Sequence, residues 1–197
     1  MQSLILSIDR FSNLIGKTFA WSIVVLTAAI SYEVFARYVF RAPTTWAFDA
    51  SYILYGVLFM MAGGYAMARN GHVRGDFLYR NFPPRRQAAL DLALWILFFY
   101  PAMIAMAWMG WKFFHQSFAQ NERSAFSPFG PIIWPFKFLI PLVGCLMSLQ
   151  GLAEVARCLL CLRDGDWPPR LHDVEEMEKL ILERAEAERL ASERNAG

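Results

Sequence analysis

The chain has 197 residues, of which 56% are hydrophobic and only 18% are charged, and its formal net charge at pH 7 is +2. A soluble domain averages about 25% charged residues, and the mean hydropathy of this chain is positive, at +0.30. This composition excludes an ordinary soluble domain and is typical of a protein that lies in lipid.

Residues 1–17 predict a short amphipathic helix rather than a cleavable signal peptide. Asp9 and Arg10 interrupt the place where a signal peptide would have an unbroken apolar core. We expect this helix to lie at the membrane interface before the first span. The apolar residues that recur at helical spacing in it are Leu4, Ile8, Phe11 and Ile15.

Four later segments are long and apolar enough to cross a membrane. A span needs about 20 mostly apolar residues to cover a hydrocarbon core of roughly 30 Å. Each span must be a helix, because its backbone polar groups find no partners in lipid. The predicted fold class is therefore an all-α integral membrane protein with four transmembrane helices. The predicted spans are residues 18–39, 48–68, 88–113 and 132–156.

A charged segment follows the fourth span. The sequence DGDWPPRL breaks the fourth helix, and the segment from His172 onward alternates Glu and Arg around one modest apolar stripe. This pattern predicts a solvated helical tail. We therefore divide the chain into a four-helix transmembrane domain, residues 1–163, and a charged cytoplasmic tail, residues 164–197.

The distribution of basic residues predicts the orientation of the chain. Most of the 19 Lys and Arg residues lie before the first span, between the second and third spans, or after the fourth. Basic residues favour the cytoplasmic side of a membrane, so both termini and the middle loop are predicted to be cytoplasmic. The basic residues left for the outward side are Arg37, Arg41, Lys112, Arg123 and Lys137.

The sequence offers no catalytic or cofactor chemistry. Membrane haem proteins use His ligands inside the helix bundle, but His72, His115 and His172 lie in a loop, at a span end and in the tail. Cys158 and Cys161 form a lone C-x-x-C, and we expect them to pack helices together. We expect no enzymatic activity, cofactor, metal or nucleic-acid partner.

Charged residues between the first two spans could form an ion site or a structural contact. Glu33 and Arg37 are four residues apart, so they share one helix face with the acid N-terminal to the base, the favourable order. Asp49 begins the second span, where a carboxylate interacts favourably with the helix dipole. Trp46 suits the aromatic belt at the membrane surface.

The turn between these spans predicts a tight hairpin. Pro43 fixes the turn, and either Thr44 or Thr45 could be the N-cap of the second span. The central part of every predicted span has no charge, whereas a carrier usually needs ionisable residues there. Pairing within the chain or with another subunit is therefore favoured over a proton or ion site.

Three stretches resemble motifs of the small membrane subunit of tripartite ATP-independent periplasmic (TRAP) transporters. The first, RYVFRAPTTWAFDAS, resembles the signature that follows the first helix of that family. ARNGHVRGDFLYRNFP resembles its second motif, and SPFGPIIWPFKFLIPLVGCLMSLQGLAE resembles its Pro-led fourth helix. The resemblance covers about residues 10–160. The matching residues of the first motif are Arg37, Tyr38, Phe40, Trp46 and Asp49. Those of the second are Gly71, His72, Val73, Arg74, Asp76 and Pro83.

The resemblance implies a secondary transporter for organic acids in the bacterial inner membrane, usually coupled to sodium. In that family a periplasmic protein delivers substrate to a large permease subunit, which carries the substrate and ion sites and moves as an elevator. The small subunit enlarges the stationary scaffold and contributes to the docking surface. The residues implied for structure and docking are Glu33, Arg37, Trp46 and Asp49. Those implied to order the cytoplasmic loop are His72, Arg74 and Asp76.

Two other functions are compatible with the sequence. The chain could be an autonomous small multidrug-type transporter that works as a homodimer, with Glu33 as its proton-linked site. It could also be the membrane anchor of an enzyme. As a TRAP subunit it would move no substrate alone, and its partners would be the large permease, the periplasmic binding protein and membrane lipids.

Overall fold

The computed structural model describes residues 2–69, 79 and 82–168. Within these residues the chain is helical, and four helical stretches are long and apolar enough to cross a membrane. The predicted all-α, four-span fold class is therefore confirmed. The helices are α1 (Gln2–Ala20), α2 (Ser22–Tyr38), α3 (Ala47–Ala68), α4 (Pro84–Leu94), a π-helical turn (Trp95–Phe99), α5 (Tyr100–Ala119) and α6 (Trp134–Asp164).

The helical stretch that contains the first predicted span, Gln2–Tyr38, begins well before that span. Only Trp21 separates α1 from α2, and it has helical dihedral angles. Together α1 and α2 run antiparallel to α3, from Gly16 beside Tyr65 to Tyr32 stacked on Trp46. The C-terminal half of α1, which precedes the predicted span, also packs beside α3.

The predicted N-terminal helix is present, but its packed face differs from the predicted apolar stripe. Leu4 and Phe11 are exposed, whereas Ile5, Asp9 and Ser12 are buried. Polar side chains form part of the packed face because α6 supplies partners for them. A position at the membrane interface stays a prediction for the first turns of α1.

The third span is a continuous helical stretch with one irregular turn. Pro101 has no N–H, so the carbonyl of Leu97 loses its usual partner in an α-helix. The π-helical turn just before it accommodates this defect, and the Tyr100 N–H bonds the carbonyl of Trp95, five residues back. The predicted span, residues 88–113, lies inside the observed stretch, Pro84–Ala119.

The fourth span is longer than a membrane requires. Helix α6 has 31 residues and is about 46 Å long, so it extends beyond the hydrocarbon core before Gly165, with φ +91°, ends it. The C-terminal part of α6 packs against α4, and Ala88, Cys158 and Cys161 are buried together there. This burial confirms that the two cysteines pack helices.

The helices form an open row rather than a closed bundle. The main contacts join α2 to α3, α3 to α6, and α6 to α5, while α1 packs on both α3 and α6. Close approach of α5 and α6 depends on Gly144, where a Cβ would lie 3.0 Å from the backbone nitrogen of Ala107. Helix α3 also approaches α6 closely at Gly63, where a Cβ would lie 3.1 Å from the sulfur of Met147. Large apolar side chains therefore remain exposed along the spans.

Candidate functional site

The centres of the four spans carry no ionisable side chain. Residues 18–32, 50–68, 92–111 and 138–153 contain no Asp, Glu, Lys, Arg or His. Ionisable groups in a membrane usually mark an ion or substrate pathway. The candidate functional residues consequently lie towards the helix ends, in two groups. One is the hairpin cluster between α2 and α3, and the other is the α1–α6 cluster at the opposite ends of the helices.

The hairpin cluster is built on Glu33, whose two carboxylate oxygens are both occupied. Arg37 donates to Oε1 from Nε at 3.0 Å and from Nη2 at 2.5 Å. Thr44 donates to Oε2 from its backbone N–H at 3.0 Å and from its hydroxyl. The expected pairing of Glu33 with Arg37 is present, and Thr44 links this pair to the turn.

The predicted N-cap of the second span is wrong. Trp46 is the N-cap of α3, and no side chain makes a capping hydrogen bond there. Thr44 is not available as a cap because it binds Glu33. Trp46 instead stacks its ring on Tyr32, with ring centroids 6.1 Å apart. The hairpin is therefore closed by contacts between α2 and the turn rather than by a cap on α3.

Asp49 lies in the first turn of α3, as predicted, and its side chain is buried. Its Oδ1 accepts a hydrogen bond of 2.5 Å from the Ser124 hydroxyl, and its Oδ2 accepts one from the Ser127 hydroxyl. Both serines lie in the loop between α5 and α6. Sequence reasoning missed these partners because nothing in the local spacing around Asp49 points to a loop so far along the chain.

The loop between α5 and α6 is held closed by its own contacts. The N–H of Ile133 bonds the carbonyl of Glu122 at 3.1 Å, and the N–H of Ser124 bonds the carbonyl of Pro131 at 2.9 Å. Lys137 forms an ion pair with Glu122, and its ammonium holds the pKa of that carboxyl below the ordinary value. The loop therefore presents Asp49 with fixed hydroxyl donors.

The α1–α6 cluster is a buried network of charged and polar side chains. Arg157, which is fully buried, donates to Asp9 and, at 2.5 Å, to Glu154. Gln150 donates to Asp9 at 2.8 Å and accepts from the Ser12 hydroxyl at 2.7 Å. Removing one partner of a buried ion pair is strongly destabilising, so this network fastens α1 onto α6.

Sequence reasoning missed the α1–α6 cluster, although a signal for it exists. Gln150, Glu154 and Arg157 lie at positions i, i+4 and i+7 of α6, which places three polar side chains on one face of a helix. On α1, Asp9 and Ser12 are at i and i+3. A polar face on each of two membrane helices predicts that they pair.

The remaining predicted site residues, His72, Arg74 and Asp76, lie outside the described residues, as does the charged tail beyond residue 168. Among the described residues, no group of three or more His, Cys, Asp or Glu side chains is arranged to hold a metal ion.

Comparison with protein families identifies the chain. A family model described as the DctQ component of the tripartite ATP-independent periplasmic transporters matches residues 26–161. The chain belongs to this family. It is a small permease subunit of a TRAP transporter, a membrane component that works with other subunits. No curated protein matches it. The match contains the hairpin cluster but begins after α1, so the Asp9 side of the α1–α6 cluster lies outside the matched residues.

Proposed function

We propose that this TRAP small subunit is a non-catalytic scaffold that partners a large elevator permease and a periplasmic substrate-binding protein. The complex would take up organic acids, with sodium as the coupling ion. The observation that carries this proposal is the absence of ionisable residues from the centres of the spans. The ion and substrate sites would then belong to the large subunit.

The occupancy of Glu33 supports the scaffold role. An ion or proton site needs a carboxylate with oxygen atoms free for the ion. Both oxygens of Glu33 instead accept hydrogen bonds from Arg37 and Thr44. Arg37 also supplies a compensating positive charge within the same helix. Glu33 is accordingly a fastener of the hairpin, which argues against an autonomous proton-coupled transporter.

The open row of helices supports a role in a larger assembly. Helix α2 packs mainly on α3, and its exposed apolar residues include Val25 and Phe35. Lipid is as apolar as these side chains, so membrane helices associate by close van der Waals packing, and the exposed flank of α2 leaves room for a partner helix. One face of the row would pack against the fixed part of the large permease, and the other would face lipid.

The distribution of basic residues supports an orientation in the bacterial inner membrane with both termini cytoplasmic. The hairpin cluster and the α5–α6 loop then face the periplasm, where the binding protein delivers its substrate. Glu33, Arg37, Trp46 and Asp49 would shape this surface. Exposed Phe126 and Phe129 on the same loop would add apolar area for docking. The α1–α6 cluster would lie at the cytoplasmic end.

Reconstitution in proteoliposomes tests this proposal. Vesicles would carry the chain alone, the large permease alone, or both, with the binding protein outside and an inward sodium gradient. Uptake of labelled organic acids is expected only when both membrane subunits and the binding protein are present. Substrate-dependent flux by the chain alone would overturn the scaffold role. A matched control collapses the sodium gradient at constant membrane potential, which is expected to abolish uptake.

A further inference from the structure

A pocket of about 270 Å³ lies between α2 and α3, beside the hairpin cluster. Ile30, Val34 and Phe48 contribute apolar walls, and Arg37 with Glu33 contributes a charged end. An amphipathic lining of this kind fits a ligand that has a charged group next to a hydrocarbon chain. The pocket lies beside the last turns of α2, where the first predicted span ends, so we expect a lipid headgroup to meet its acyl chains at this level.

Arg37 has an unused hydrogen-bond donor at this pocket. Its Nε and Nη2 both bind Glu33, whereas Nη1 has no hydrogen-bond partner among the residues that the structure describes. The side chain is 56% exposed. Glu33, in contrast, accepts hydrogen bonds on both oxygens. The group left unused in this ion pair is therefore the Nη1 donor of Arg37, which would bind an anion. A guanidinium is well suited to phosphate oxygens.

We propose that this pocket binds a membrane phospholipid. The phosphate would accept a hydrogen bond from Arg37 Nη1, and part of one acyl chain would lie between Ile30, Val34 and Phe48. A pocket of about 270 Å³ suits a stretch of one acyl chain and leaves the rest of the lipid in the bilayer. A free phosphate ion would use the charged end but leave the apolar walls unfilled.

The position of the pocket in the fold also favours a lipid. Helix α2 is the edge of the open row and packs mainly on α3, so the groove between these two helices opens at a surface of the subunit. This inference concerns a lipid site of the chain itself and does not depend on its role in the TRAP complex.

Native mass spectrometry of the full chain tests the site. Protein stripped of lipid in detergent would be titrated with dioleoyl phosphatidylglycerol and, separately, with dioleoyl phosphatidylethanolamine. The wild type is expected to retain at least one lipid, and Arg37→Gln to bind it about tenfold more weakly, since a hydrogen bond to a charged group is lost. Arg41→Gln, which removes the same charge from the turn of the same hairpin but does not line the pocket, should bind like the wild type.

A second variant separates loss of the site from loss of the ion pair. Ile30→Trp fills the pocket while keeping Glu33 and Arg37, and it is expected to weaken lipid binding at least as much as Arg37→Gln. Excess inorganic phosphate should displace little lipid, because it cannot fill the apolar walls. Equal lipid retention by Ile30→Trp and the wild type would overturn the proposal. Equal loss in Arg41→Gln, or a second copy of the chain bound in place of lipid, would also overturn it.

Discussion

Asp49 and Ser124 are separated by 75 positions in the chain and are joined by a 2.5 Å hydrogen bond from the serine hydroxyl to the carboxylate. This bond connects the first turn of α3 to the loop between α5 and α6, and Ser127 adds a second bond to the same carboxylate. The two loops at this end of the molecule therefore form one surface. A partner that docks there meets a preformed shape rather than two independent segments.

Removal of the Asp49 carboxylate should loosen this surface. Asp49→Ala leaves two serine hydroxyls without their acceptor, and the expected cost is about 1–3 kcal/mol of unfolding free energy. Reversible unfolding in mixed micelles measures that cost, and hydrogen exchange should report faster exchange in residues 120–133. Ser51→Ala is the matched control, because Ser51 bonds only the carbonyl of Ala47 within α3. Equal destabilisation by both variants would contradict the prediction.

The buried pair of Asp9 and Arg157 predicts a larger effect. Arg157→Met leaves Asp9 and Glu154 buried near each other without their shared cation, and breaking a buried pair in this way typically costs about 3–5 kcal/mol. Unfolding in mixed micelles, monitored by circular dichroism, measures the loss. Limited proteolysis should cleave α1 more readily in the variant, because α1 loses its main polar contact with α6.

The control for Arg157 is an exposed pair on the same helix. Arg163 bonds Asp164 at 2.7 Å, but both side chains are largely in solvent. Arg163→Met should therefore change stability by no more than about 1 kcal/mol. If Arg157→Met were as mild as Arg163→Met, the α1–α6 cluster would not fasten α1.

Glycine contacts predict which helix pairs tolerate a methyl group. A Cβ on Gly110 would lie 2.8 Å from Cγ2 of Ile140 and 3.0 Å from the backbone nitrogen of Pro141, whereas a Cβ on Gly64 would have its nearest neighbour, in Ser12, at 3.9 Å. Gly110→Ala is expected to cost about 1–3 kcal/mol through overpacking. Gly64→Ala should be close to neutral. Thermal unfolding of the two variants side by side makes this comparison, and similar costs would contradict it.

The ion pair between Glu122 and Lys137 predicts the pH response of the α5–α6 loop. Because Lys137 lowers the pKa of Glu122 in the folded state, the unfolded state binds more protons in acid, and the pair stabilises the fold above the ordinary carboxyl pKa. Stability is lost only as the pH falls below that value and through the lowered pKa. Protection of the Ile133 amide should therefore stay constant between about pH 7 and pH 5 and decline at lower pH.

Hydrogen exchange, corrected for the intrinsic effect of pH, measures this protection. Lys137→Met is the control: without the ammonium, the loop should be less protected at neutral pH and should respond less to acid. Loss of protection that begins near pH 6 in the wild type would contradict the assignment of the response to Glu122.

The number of spans was predictable because it depends on local composition. Long apolar runs have to be helices in lipid, and the pairing of Glu33 with Arg37 follows from four-residue spacing alone. The packing of α1 was less predictable, because nothing in its local spacing shows that Gly16 lies against Tyr65 of α3.

The tertiary partners of the charged residues were not predictable from local spacing. Asp49 looked like a residue placed for the helix dipole, yet its carboxylate bonds two serines of a distant loop. Thr44 was predicted as a possible N-cap and instead donates a hydrogen bond to Glu33. In both cases a short polar side chain had several feasible acceptors or donors, and the packing of the hairpin selected among them.

Glu33 provides the most direct test of the scaffold role. Glu33→Gln removes the charge that pairs with Arg37 and weakens the acceptor of Thr44, so the hairpin should lose its fixed shape. We expect less large permease to copurify with the variant, or weaker docking of the binding protein, together with slower uptake of the same substrates. Asp164→Asn removes one acid from an exposed pair at the C-terminal end of α6, and it should leave assembly and uptake unchanged. The substrate site would lie in the large subunit, so Glu33→Gln and the wild type should prefer labelled organic acids in the same order. A changed order of preference would count against the scaffold role.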